Sequence, residues 1–246
     1  MKHPERWAFA EDISRKVLES HKGKVLFVAA AGSTADSKDG EYSDLDMVIA
    51  SNEKIGESRK FIFKDIIAEP FYITKSEAER IFRDPAGESW QSWMMLIHTA
   101  KMIYGDENLL KELQGINSSI PNDAYAKPAA RNLVLMQEFI NHIKAVVPYN
   151  SLSDELFLSV EFRKLAIEFV ALLNKKYYLT YDWIGEAKSW PQLPENYVQL
   201  AKKLGASVSG SEILETSSQL LESCKNKAHE LGIKEEFHNS IGSVAL

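Results

Sequence analysis

Apolar positions recur at helical spacing through residues 5–22, at Trp7, Ala10, Ile13, Val17 and Leu18, and Gly23 supplies a stop just beyond. Residues 24–31 form an apolar run rich in β-formers, which predicts a buried strand. A polar, glycine-containing loop follows over 32–43, and a second strand is expected at about 45–51. Residues 60–74 read as one or two further strands, with Pro70 marking an edge or a bulge. Ser76-Glu-Ala-Glu79 has the spelling of a capping box and predicts a helix toward Phe82, after which Asp84-Pro-Ala-Gly87 turns the chain. Beyond about residue 120 the strand signals end. Helical periodicity then covers 131–147, 156–173, about 195–204 and 211–231.

The break at Pro121 and Asn122 divides the chain into an α+β part, 1–120, and a helical part, 121–246. The expected class is α+β, a mixed sheet flanked by helices followed by a C-terminal helical bundle. The helix over 156–173 is apolar nearly all round, with Phe157, Val160, Phe162, Leu165, Ile167, Phe169, Val170 and Leu172. Such a helix has to be covered on several sides, by a bundle or by a second subunit.

Composition narrows the function classes. With 45% hydrophobic and 26% charged residues among 246, the chain can bury an ordinary core, which excludes disordered and low-complexity scaffolds. The longest apolar stretch, 25–31, is too short to cross a bilayer, and Glu5, Arg6, Glu11 and Asp12 stand where a signal peptide needs its apolar region. The lone Cys224 makes no internal disulfide, and no Cys/His spacing suggests zinc, so a cytoplasmic protein is expected. A net charge of −6 argues against a general nucleic-acid binder.

The candidate chemistry lies in Gly32-Ser33, ten further residues, and Asp44-Leu-Asp46. Side chains alternate along a strand, so Asp44 and Asp46 share a face and Leu45 takes the other. Two carboxylates that close repel unless a cation sits between them, and magnesium is the usual choice where phosphates complete the shell. Gly32 lets the backbone approach a phosphate, and the Ser33 hydroxyl can donate to it. Glu69, the acid in the second half of the 60–74 run, is placed either to complete a two-metal clamp or to act on an acceptor hydroxyl.

These residues resemble the signature of the nucleotidyltransferase (polymerase β-like) superfamily. Within it, Asp39-Gly-Glu-Tyr-Ser-Asp-Leu-Asp46 is similar to the kanamycin (aminoglycoside) nucleotidyltransferases. Fainter similarity runs through Ala68-Glu-Pro-Phe71, Leu193-Pro-Glu-Asn-Tyr197 with Leu200, and the helix from Ser211. The resemblance implies Mg2+ at Asp44, Asp46 and Glu69. It implies a nucleoside triphosphate, with ATP expected, held by the Gly32-Ser33 turn with Lys38, Ser43 and Lys144. It also implies transfer of AMP to a hydroxyl of a small polar, aminoglycoside-like acceptor, release of pyrophosphate, and a homodimer.

Two positions depart from the family. Asp36 stands where the phosphate loop carries an arginine, leaving Lys38 to supply the positive charge. If Lys144 matches the family's lysine, the base position falls on Ile140, so Glu138 or His142 has to serve instead. These departures motivate a rival reading, a catalytically impaired nucleotide-binding or regulatory protein; a third has a protein or RNA as acceptor. Arg163 and Lys164 either snorkel or line the acceptor cleft. Packing is the expected role of Trp90, Trp93 and the cluster Tyr177, Tyr178 and Tyr181, and Cys224 is expected to be inert.

Overall fold

The computed structural model describes residues 1–178 and 183–234. The chain divides into two compact units, Met1–Ile120 and Pro121–Leu246. The first opens with α1 (His3–Ser20), β1 (Val25–Ala31), a single turn α2 (Gly32–Ala35) and β2 (Leu45–Ser51). It continues with β3 (Phe61–Phe63), β4 (Ile66–Thr74), α3 (Lys75–Phe82), α4 (Trp90–Thr99), β5 (Lys101–Gly105) and α5 (Glu107–Gly115). The second unit contains α6 (Asp123–Val146), α7 (Leu152–Leu173), α8 (Trp183–Ala187), α9 (Tyr197–Ala206) and α10 (Gly210–Glu230). The class is α+β, a mixed sheet with helices and then a helical region.

The strands lie in the order β3-β4-β2-β1-β5. β2 is central, antiparallel to β1 and parallel to β4, while β3 and β5 pair antiparallel with β4 and β1. Leu45, Met47 and Ile49 of β2 pack in one core with Ala10 and Val17 of α1, and Phe9 and Ile13 press against the same cluster. Alternation therefore sends Asp46 to the opposite face of the sheet.

The 60–74 run is two strands. They meet at a two-residue turn, Lys64 and Asp65, both with positive φ (47° and 66°), the conformation that matches the twist of a tight hairpin. Pro70 lies inside the β2–β4 ladder, opposite Met47. The N–H of Tyr72, two residues on, donates to the Ser58 hydroxyl at 3.2 Å, away from β2. Pro70 thus turns its donorless nitrogen to the side where β3 has already ended, and no ladder bond is lost.

The helix after β4 begins earlier than its predicted box. Thr74 is the cap: its hydroxyl accepts from the Glu77 N–H, and Glu77 returns a bond to the Thr74 N–H at 2.9 Å. Thr74 is still extended as the last residue of β4, so it takes the half-in cap position that Ser76, already helical, cannot. α4, β5 and α5 have no counterpart in the sequence reading. Trp90 packs as expected, 1% exposed with its indole N–H donating to the Phe82 carbonyl.

In the second unit α6 packs along α7, and α10 packs against α6, α7 and α9. α6 starts ahead of the expected 131 and runs through Pro128. The C-terminal half of α7 is buried at Phe162, Phe169 and Val170, whereas Phe157 is 65% and Val160 50% exposed. Tyr181 lies outside the described residues.

One polar interaction fixes the loop ahead of β2. Arg6 of α1, fully buried, pairs with Asp39 and donates to the carbonyls of Met1, Gly40 and Glu41. His3 Nδ1 is 2.5 Å from the other Asp39 oxygen. Removing one partner of such a pair leaves an uncompensated buried charge. Arg6→Met is therefore expected to destabilise the protein by ~3–5 kcal/mol in chemical denaturation, and adding Asp39→Leu should recover a large part of that loss.

Candidate functional site

The acids come together through strand register. Asp46 of β2 lies between Ala31, the last residue of β1, and Glu69, directly opposite on β4. Asp44, two residues before Asp46, joins them, since both Asp44 and Glu69 act electrostatically on Asp46. Burial, and then the charges of Asp44 and Glu69, push the Asp46 carboxyl up to about 7, and only Lys60 opposes them.

Lys60 is the group that sequence reasoning missed. β3 pairs with β4 as Phe61 to Ala68 and Ile62 to Ile67, so the next step of the ladder sets Lys60 against Glu69. Its ammonium lies 2.9 Å from Glu69 Oε2, with the lysine side chain 66% exposed and the glutamate 16%. Glu69 holds the Lys60 ammonium charged to a higher pH than usual, with Asp44 and Asp46 adding to the effect. The signal was present as Lys60-Phe-Ile-Phe-Lys-Asp-Ile-Ile-Ala-Glu69, provided the turn is placed at Lys64-Asp65.

Gly32 sits at a tight junction between the turn after β1 and the acids. Its N–H is committed to the Thr99 hydroxyl at 2.8 Å, and Thr99 in turn donates to the Met95 carbonyl of α4. Its φ is +60°, and a Cβ built there would come within 2.7 Å of Asp46 Oδ2. Glycine is needed so that the turn after β1 and the Asp46 carboxylate can occupy adjacent space. Thr34, also unanticipated, is 1% exposed and donates to the Asp44 carbonyl at 3.4 Å, tying α2 to the start of β2.

The remaining loop candidates are near in sequence but differently engaged. The Ser33 carbonyl accepts from the Lys38 N–H, and its hydroxyl has no bond among the described residues. The Ser43 hydroxyl accepts from Gly40 N–H at 2.9 Å and braces the loop. Lys38 Nζ stands 3.7 Å from Asp36, so the acid in this loop has a cation of its own. Glu138, His142 and Lys144 belong to α6 of the second unit and are exposed. Glu138 and His142 lie 3.9 Å apart, while Ile140 between them is buried at 2% exposure. In that unit Arg163 lies over the Trp183 ring, 5.2 Å from its centroid, and Lys164 pairs with Glu161 at 3.4 Å. Cys224 is fully buried, and burial raises its thiol well above the usual range, which leaves it inert.

Among the described residues no group of three or more His, Cys, Asp or Glu is placed to hold a metal ion. The acids nevertheless form an all-oxygen donor set with one lysine beside three carboxylates, and Asp46 is raised by its burial first and by the charges of Asp44 and Glu69 second. Carboxylate oxygens are the donors a hard divalent cation takes, and of the three acids Glu69 is already paired with Lys60.

No protein-family model matches the chain, and no curated protein matches it significantly. Among solved structures it is similar to a nucleotidyltransferase-like protein from Exiguobacterium sibiricum 255-15 at 10% identity. The match covers 94% of this chain and 82% of that one, with a TM-score of 0.51. It also aligns with spectinomycin adenyltransferase AAD(9) from Enterococcus faecialis, solved with ATP and spectinomycin. That alignment has 16% identity, covers 90% and 98% of the two chains and has a TM-score of 0.43. The chain has the nucleotidyltransferase fold.

Two expectations follow from the crowding. Unfolded, Asp46 ionises near 3.8; folded, it keeps its proton to about 7. Between these values the folded state binds the extra proton, so this contribution to stability falls as pH rises and is lost above about pH 7. Asp46→Asn should therefore raise the metal-free stability at pH 8 by ~1–2 kcal/mol and flatten its dependence between pH 5 and 8, as read by thermal denaturation. Gly32→Ala should act oppositely, lowering stability by ~1–3 kcal/mol at either pH, because it strains the backbone and meets the Asp46 carboxylate.

Proposed function

We propose, from the nucleotidyltransferase fold and the acids it gathers, that the chain is a Mg2+-dependent nucleotidyltransferase. It moves a nucleoside monophosphate, AMP from ATP, to a hydroxyl of a small polar acceptor of aminoglycoside type. The observation that carries the reading is the placement of Asp46 and Glu69 opposite one another on adjacent strands, with Asp44 just ahead of β2, beside a glycine turn that leaves room for the Asp46 carboxylate. The site belongs to the first unit, whose proposed role is catalysis; the helical unit is proposed to receive the acceptor and to form a homodimer. The exposed Phe157 and Val160 of α7 give that dimer an apolar face.

In the reaction the acceptor oxygen attacks the α-phosphorus in line. A P–O bond to the acceptor forms, the bond to the β-phosphate breaks, and pyrophosphate leaves. Asp44 and Asp46 would hold Mg2+, which would offset the negative charge gathered on the phosphates. Ser33 offers its hydroxyl to a phosphate oxygen, and Lys38 offers a cationic contact. The acceptor proton passes to a carboxylate or imidazole; Glu138, His142 and Lys144 are the helical unit's candidates for acting on the acceptor.

One observation favours a second reading, a nucleotide-binding or regulatory protein without turnover: Glu69 is engaged by Lys60. The two separate in one experiment, in which purified protein is incubated with α-labelled ATP, Mg2+ and a panel of aminoglycosides, spectinomycin and simple aminoalcohols. Transfer predicts pyrophosphate and a labelled acceptor, with Asp44→Asn and Asp46→Asn lowering the rate by ~10²-fold or more. Mg2+-dependent ATP binding without product for any acceptor supports the regulatory reading instead. Label appearing on a protein or RNA identifies a macromolecular acceptor.

A further inference from the structure

The transfer step assigns no role to Lys60, yet its pair with Glu69 occupies the edge of the acid cluster. Three features set it apart from an ordinary surface ion pair. Glu69 is largely covered while Lys60 reaches it from solvent, at 16% and 66% side-chain exposure. The lysine acts electrostatically on Asp44 and Asp46 as well as on Glu69. The hairpin register places it, because Lys60 continues the β3–β4 ladder one step beyond Phe61 and Ala68.

We propose that Lys60 is an internal counter-ion that holds Glu69 in the metal-free protein and competes with the divalent cation for it, so that the cation loads together with the nucleotide. The inference rests on the nucleotidyl-transfer reading above. An ammonium can do this where a guanidinium is less suited. It is a compact point charge on a flexible stem, able to pair with one carboxylate oxygen and then withdraw. With Lys60 in place, a lone cation finds one of its three carboxylates engaged and meets a like charge a few ångströms away, which lowers its affinity. The triphosphate reverses that balance, because it brings negative charge for Lys60 to meet and oxygen ligands for the cation. Lys60 acts here through Glu69 and is a positioning residue.

The test uses Mn2+ as the probe, with affinity measured by electron paramagnetic resonance or calorimetry on the full chain, alone and with a non-hydrolysable ATP analogue. Wild type is expected to bind Mn2+ weakly alone and more tightly with the analogue. Lys60→Met is expected to bind Mn2+ alone about three- to tenfold more tightly, with a smaller gain from the analogue. Lys60→Arg, which keeps the charge but holds a carboxylate through a rigid fork, is expected to bind Mn2+ alone no more tightly than wild type. The lysine is mostly solvent-exposed, so Lys60→Met is also expected to fold, with little change in thermal midpoint. If Lys60→Met binds Mn2+ alone no more tightly while wild type binds it with the analogue, the counter-ion proposal fails by itself. If neither protein binds Mn2+ with or without the analogue, the nucleotidyl-transfer reading fails and takes this proposal with it.

Discussion

The first unit is organised around a repulsion. Asp46 sits on the central strand with Glu69 directly opposite and Asp44 two residues before it, and together with burial they hold the Asp46 carboxyl up to about 7. An arrangement that resists its own ionisation has to be imposed by the surrounding structure. β2 is held on both sides, by β1 and by β4, and its other face is sealed by α1 through Leu45, Met47 and Ile49. A slip of one residue in β2 would send Leu45 to the acid face and Asp46 into the core beneath α1, so the apolar face fixes the polar one.

The loop contacts then keep the acids from spreading. Thr99 fixes the Gly32 N–H, Thr34 ties α2 to the Asp44 carbonyl, and Arg6 with His3 secures Asp39. The Arg6–Asp39 pair illustrates why buried charges belong to location more than to stability. An apolar pair of similar size would cost less to bury. It would not donate to the carbonyls of Gly40 and Glu41, and without those bonds the loop before Asp44 has fewer reasons to follow one path.

How much of this the sequence displayed depended on whether a feature was local. Asp44 and Asp46 were legible because alternation along one strand needs no partner. The nucleotidyltransferase resemblance was drawn on the same local motif, and the fold agrees with it. Lys60 was not, since its position depends on a turn at Lys64-Asp65, which lacks the Asn-Gly or Asp-Gly spelling that marks such turns. Gly32 was noticed for a property it has, backbone freedom, but its neighbour is the Asp46 carboxylate and its N–H belongs to Thr99. β5 is five residues long and α4 lies in a segment read only as packing, so neither had a strong periodic signal. α6 begins ahead of the periodic signal at 131 and carries Pro128, a residue that usually breaks a helix, in its interior.

The same repulsion explains why structure and function fit together at this site. If the three acids were fully neutralised by protein groups, they would be comfortable when empty and would have little to gain from a cation. If none were, the repulsion among them at neutral pH would be larger still. One lysine on one of the three is an intermediate solution: it relieves part of the repulsion and leaves Asp44 and Asp46 still crowded. An edge hairpin is the natural place for that lysine. β3 is only three residues long and its residues are exposed, so the ammonium can leave the acids without disturbing the core that sets their spacing.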